Sequence, residues 1–141
     1  MFTSVNKHTR RALAIYAGIT AFCLLFSAIY YQFSHDVHSA FMTFLFAIPL
    51  IGGAGVAALR AAMGAREAPA AARYYYHAAI ATATVGCALR GIFEIAGTSS
   101  PYLSVYLAAT AALIGAACYT YIMGFRARML THERETPDAR T

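Results

Sequence analysis

The chain of 141 residues is rich in apolar side chains and has a formal net charge of +5. Hydrophobic residues make up 60% of it and charged residues 12%, whereas a soluble domain has about 25% charged residues. This composition excludes an ordinary soluble domain, because one core of this size could not hide so much apolar surface. It predicts a protein of the lipid bilayer.

Four apolar stretches follow one another along the chain, over residues 12–33, 40–59, 74–96 and 103–125. Each is close to the ~20 residues that a helix needs to cross a bilayer, and a single segment can satisfy its backbone there only as a helix. The sequence predicts an all-α membrane protein, a four-transmembrane-helix bundle that forms one integral membrane domain over residues 1–141. The first stretch is too long for a signal peptide, so we interpret it as a retained helix.

The basic residues predict how these helices are oriented. Apart from Arg90, they precede the first helix, lie between the second and third, or follow the fourth, whereas the loops at residues 34–39 and 97–102 contain none. Lys and Arg favour the cytoplasmic side, so both termini, the middle loop and a tail at residues 126–141 are predicted to be cytoplasmic. The protein is then a multi-pass protein of the plasma (inner) membrane. Because topology explains the positive charge, no nucleic-acid partner is predicted.

A weak internal repeat relates the two halves of the chain. Residues 23–25 match residues 87–89, and residues 50–55 match residues 113–118. The fold is either two parallel helical hairpins or a bundle without internal symmetry, since apolar helices match easily by chance. Small residues spaced four apart suit close helix packing, either within the bundle, in a homo-oligomer, or against a larger membrane-protein partner.

Pro49 lies in the middle of the second helix, and Gly52, Gly53 and Gly55 follow it. Proline removes one backbone hydrogen bond and bends a helix. The bend is interpreted either as a static kink or as a hinge formed by Pro49, Gly52 and Gly53.

Arg90 and Glu94 are an ionisable pair inside the third helix, four residues apart and therefore on one helix face. Arg90 lies about 10 Å from the outer end of its helix. An arginine at such a depth costs roughly 2.5–3.5 kcal/mol on insertion scales, which pairing with Glu94 would offset. The two residues form either an ion pair that fixes packing or a site for a polar or anionic ligand.

The loop between the first two helices holds His35, Asp36 and His38, which are predicted to lie at the same membrane face as Glu94. They form either a metal site through His35 and His38, a pH-sensitive cluster, or a solvated turn in which Asp36 caps the second helix. His77 is at the opposite end of the third helix and is interpreted as an interfacial residue. No haem or other cofactor is predicted.

Two stretches of the third helix and its outer turn carry a resemblance. They read Tyr-His-Ala-Ala-Ile-Ala-Thr-Ala-Thr-Val-Gly at residues 76–86 and Leu-Arg-Gly-Ile-Phe-Glu-Ile-Ala-Gly-Thr at residues 89–98. They resemble small four-helix bacterial integral membrane proteins, with a weaker likeness around residues 46–53. The resemblance implies a bacterial plasma-membrane protein and implies no particular activity.

Three functions follow as alternatives. The leading prediction is a transport-related or accessory subunit whose polar site near the outer leaflet is lined by Arg90, Glu94, His35, Asp36 and His38. The second is a membrane redox or metal-binding enzyme that uses the same histidines and carboxylates. The third is a structural scaffold with Arg90 and Glu94 as a packing ion pair. An enzyme is the less expected of these, because the sequence holds no nucleotide loop, zinc-protease motif or nucleophile elbow.

Overall fold

The described residues are mostly helical, and none of them forms a strand. A computed structural model describes residues 3–33, 39–64 and 68–135, and within them the side chains of residues 9–33, 39–64 and 68–129. The helices are α1 (Thr3–Phe33), α2 (Ala40–Thr43), α3 (Val56–Ala62), α4 (Ala70–Ile95) and α5 (Leu103–Glu135), with a π-helical segment (Ile48–Gly55) between α2 and α3. The prediction of an all-α chain is confirmed for these residues.

Four spans within these helices are long and apolar enough to cross a membrane. They are Thr9–Phe33, Ala40–Ala62, Ala70–Ile95 and Leu103–Met129. The second span is composite, since it joins α2, the π-helical segment and α3. The four predicted spans are therefore confirmed by length and composition. The cytoplasmic position of the termini and the two parallel hairpins stay predictions.

Three helices extend beyond the apolar stretches that predict them. Helix α1 begins at Thr3 rather than residue 12, α4 begins at Ala70 rather than residue 74, and α5 continues to Glu135 through most of the predicted tail. A helix makes its backbone hydrogen bonds internally and can therefore continue into water with polar side chains. Hydropathy marks where a helix meets hydrocarbon, and it does not mark where the helix ends.

The second span is the element that joins the others. Helix α1 packs against the π-helical segment and α3, whereas α4 packs against α2 and the π-helical segment. Helix α5 packs along α4 and makes no comparable contact with another helix among the described residues. This arrangement is more open than the predicted bundle, and it leaves a cleft between α1 and α4.

The second span is interrupted before Pro49. Helix α2 ends at Thr43, and a tight turn follows in which the backbone N–H of Ala47 donates to the carbonyl of Phe44 at 3.0 Å. Proline lacks an N–H, and its ring needs the space that a preceding carbonyl occupies in an α-helix. Pro49 lies in the first turn of the π-helical segment, directly after the tight turn, where a missing N–H leaves no internal hydrogen bond unmade. The bend predicted at Pro49 is thus a change of helix type, and its use as a hinge stays a prediction.

The buried core is small and lies where α1, the second span and α4 meet. It consists of Cys23, Met42 and Leu45, with half-buried apolar side chains around them. Helices α4 and α5 pack closely at Gly86, where an added Cβ would lie 2.8 Å from the Cβ of Tyr106. A small core suffices in a bilayer, because lipid tails are as apolar as the side chains that face them.

Candidate functional site

A cleft of about 510 Å³ separates α1 from α4. Apolar side chains of both helices form its walls, and Leu45 of the second span lines it as well. Several of the lining side chains, among them Ile15, Phe22 and Val85, are exposed, so the cleft is open at the side. Ligand pockets in proteins have volumes of about 300–1,000 Å³ and mostly apolar walls. The cleft therefore has the dimensions of a binding site.

The cleft is elongated along the helices. Its lining extends from Ala12 to Phe26 on α1 and from His77 to Ala88 on α4. At about 1.5 Å per residue, the stretch of α1 is about 21 Å long. This shape suits an extended hydrocarbon chain.

Tyr16 and His77 place polar atoms at one end of the cleft. The hydroxyl of Tyr16 is hydrogen bonded to Nδ1 of His77, and the two ring centroids are 5.7 Å apart. Tyr16 is buried because its ring lies directly against Gly53, where an added Cβ would overlap the ring. His77 is exposed and lines this end of the cleft. The site is thus a long apolar cleft with one polar end.

Tyr76 fixes α4 beside this polar end. Its hydroxyl donates a hydrogen bond of 2.6 Å to the carbonyl oxygen of Gly52 in the π-helical segment. A backbone carbonyl inside a membrane needs such a partner when the regular helix pattern is broken. Sequence reasoning interpreted His77 as interfacial and gave Tyr16 and Tyr76 no role in a site. The available signal was the group of glycines in the second helix, which leaves room for large rings.

Arg90 and Glu94 lie near the other end of α4, and both are exposed. The guanidinium carbon of Arg90 lies 4.4 Å from the ring centroid of Phe41, within the range of a cation–π contact. Glu94 accepts a hydrogen bond of 2.6 Å from the hydroxyl of Ser39. Both contacts join α4 to the beginning of the second span. The ion pair between Arg90 and Glu94, and a ligand site there, stay predictions.

Ser39 caps the N-terminus of α2, since its hydroxyl accepts a hydrogen bond of 3.4 Å from the backbone N–H of Met42. One of the alternatives from sequence has Asp36 help to cap this helix, and Asp36 lies outside the described residues. His35, Asp36 and His38 lie outside the described residues, so the metal site and the pH-sensitive cluster stay predictions. Within the described part of the chain, no three potential metal ligands come together.

Side chains from both neighbouring helices bind the carbonyl groups of α2. Ser27 of α1 donates to the carbonyl of Met42 at 2.8 Å, and the thiol of Cys87 in α4 donates to the carbonyl of Phe41 at 3.2 Å. Gly91 lets α4 approach this backbone, because a Cβ there would lie 3.0 Å from the nitrogen of Met42. These bonds satisfy the backbone where the second span breaks.

No family model, curated protein or solved structure matches this chain. Its function is therefore argued from its own geometry. Four apolar helices are compatible with a membrane protein. The cleft with Tyr16 and His77 at its end combines the volume and the polar groups that ligand recognition requires.

Proposed function

We propose that the protein is a small membrane-embedded binding subunit, transport-related or accessory, and that its ligand is a lipophilic molecule held between α1 and α4. One observation carries this proposal. About 510 Å³ of apolar-walled space lies along two helices that are long and apolar enough to span a membrane, and it ends at a hydrogen-bonding pair, Tyr16 and His77.

The chemistry of the walls favours a lipophilic ligand. Water occupies a cavity stably only where it finds two to four polar partners, and the middle of this cleft is lined by aliphatic and aromatic side chains such as Ile19, Phe22 and Ile80. A hydrocarbon chain fills such space without losing any hydrogen bond. The lateral opening gives this chain a route from the surrounding bilayer.

Ala81→Phe tests the proposal by filling the cleft. Ala81 lines the cleft and is exposed, so a phenyl ring there takes the ligand's space without displacing a core side chain. We expect the variant to lose most of the lipophilic ligand that the wild-type protein retains. Native mass spectrometry of the detergent-purified protein, released gently from its micelle, measures the retained molecule per chain.

Ala108→Phe is the matched control. Ala108 is exposed on α5 and does not line the cleft, so the same enlargement there leaves the ligand's space intact. Circular dichroism and size-exclusion chromatography verify that both variants fold. Equal ligand retention in Ala81→Phe and Ala108→Phe would contradict a binding function for the cleft.

A second candidate function is the transport-related polar site at the predicted outer face. The contacts of Arg90 and Glu94 with the first residues of a broken span favour it, since discontinuous helices line the binding sites of many transporters. This site would include His35, Asp36 and His38. Arg90→Ala is then expected to release a polar or anionic ligand that wild type retains in native mass spectrometry. If neither wild type nor Arg90→Ala carries a bound ligand, that result would count against this polar site.

Two alternatives to a binding role make different predictions. A structural scaffold predicts that replacing Arg90 and Glu94 together by apolar residues leaves association with a partner intact. A redox or metal-binding enzyme requires His35 and His38, which lie outside the described residues.

A further inference from the structure

We infer that the cleft binds an acyl chain of an anionic phospholipid from the bilayer, with the head group held at a mouth formed by Tyr16, His77 and Arg73. This inference rests on the proposed function and names its ligand. It combines three observations: a hydrogen-bond donor at the mouth, positive charge around it, and a cleft length that matches a lipid chain.

The bond between Tyr16 and His77 decides which atom of the imidazole faces a ligand. The Tyr16 hydroxyl and Nδ1 of His77 share a hydrogen bond, and we assign the tautomer in which the hydroxyl donates to Nδ1. The proton of the neutral ring then lies on Nε2. His77 is exposed at the end of the cleft, and it therefore offers an N–H group there. Such a donor recognises an acceptor, and phosphate and ester oxygens of a lipid head group are acceptors.

The charges near the mouth favour an anion. Arg73 precedes His77 by four residues on α4, so it lies on the same helix face, close enough for its charge to act on the ring. Arg10 and Arg11 are exposed on α1, immediately before the first residue of the cleft lining. Glu94 is the acidic residue among the described side chains, and it lies near the opposite end of α4.

The position of the mouth along α4 matches the edge of a bilayer. The helix has 26 residues, or about 39 Å, which exceeds the roughly 30 Å of hydrocarbon, so its terminal turns reach the head groups. Shared between the two ends, the excess is about 5 Å, so Arg73 lies at the edge of the hydrocarbon and His77 about 5 Å inside it. A head group held there leaves the acyl chain to extend along the cleft toward Phe26. In the orientation predicted from the basic residues, this is the cytoplasmic leaflet, whose surface is negatively charged.

The experiment compares two lipids that differ in head group. Full-length protein in detergent is titrated with palmitoyl-oleoyl phosphatidylglycerol and with the phosphatidylcholine of the same chains, and native mass spectrometry gives the bound fraction. We expect wild type to bind phosphatidylglycerol more tightly. His77→Phe should weaken that binding about tenfold or more, and Arg73→Gln about fivefold. Arg126→Gln removes the same charge from α5, which does not line the cleft, and should leave the affinity unchanged.

The outcomes separate this inference from the proposed function. Equal affinity for both lipids, with Ala81→Phe releasing both, would overturn the head-group assignment and leave the lipophilic cleft intact. Binding that Ala81→Phe does not alter would overturn both. Tighter binding of palmitic acid than of phosphatidylglycerol would replace the phospholipid by a free fatty acid. If His77→Phe fails to fold, Arg73→Gln decides alone once circular dichroism has verified that it folds.

Discussion

Gly53→Val is expected to destabilise the protein by about 3 kcal/mol, at the upper end of the cost of inserting methyl groups into a packed core. The reason is the ring of Tyr16, which occupies the position that a Cβ of residue 53 would take. Tyr16 is 6% exposed, so its ring must leave a closed space, and its bond with His77 is lost. Unfolding in mixed micelles with increasing dodecyl sulfate, followed by circular dichroism, measures the change in the free energy of unfolding.

Gly115→Val provides the comparison for Gly53→Val. A Cβ at Gly115 meets no atom within 4 Å, so the same substitution there tests helix propensity without a packing conflict. We expect Gly115→Val to leave the free energy of unfolding nearly unchanged, since valine and glycine differ by only a few tenths of a kcal/mol in helices. Equal stabilities for the two variants would mean that Tyr16 does not pack against Gly53.

Gly91→Val is expected to cost about 2–3 kcal/mol for a different reason. The atoms that a Cβ at Gly91 would meet include the backbone nitrogen of Met42 at 3.0 Å and its Cα at 3.3 Å. A backbone cannot rotate aside as a side chain can, so α2 must move away from α4. The bond from Cys87 to Phe41 would then break, and so would the bond from Ser39 to Glu94.

Hydrogen–deuterium exchange distinguishes the separation of α2 from α4 in Gly91→Val from a general loss of stability. Gly91→Val should speed exchange of the amides of residues 40–47 more than those of α5, because it detaches the beginning of the second span. Gly18→Val is the control on α1, since a Cβ there meets no atom within 4 Å. Unchanged exchange at residues 40–47 in Gly91→Val would contradict the close approach of the two helices.

The four spans follow from sequence because the bilayer itself imposes their length and apolar composition. Pro49 likewise indicates where the second span departs from an α-helix. The π-helical turns cannot be predicted from sequence, since contacts between helices stabilise them. The hydroxyl of Tyr76 donates to the carbonyl of Gly52, and the ring of Tyr16 packs against Gly53. Periodicity within one helix contains no information about such contacts.

The candidate site is likewise predictable from sequence only in part. Arg90 and Glu94 are recognisable from sequence because ionisable groups in hydrocarbon are costly and therefore rare. The cleft has no such signal, because it consists of space that apolar side chains leave between α1 and α4. Tyr16 and His77 are 61 positions apart, and neither is unusual near the end of a membrane helix. Only their contact across the cleft identifies them.

Helix α5 has a mechanical consequence that follows from its length and, among the described residues, from its packing along α4. Its 33 residues form a rod about 50 Å long, and roughly 30 Å of that rod suffices to cross the hydrocarbon. Packing along α4 alone constrains its tilt less than packing between several helices would. Bilayer thickness influences the tilt of a long helix, and the part that extends beyond the membrane acts as a lever arm. For a helix that crosses a bilayer in this way, we expect small changes in membrane thickness to produce larger displacements at its far end.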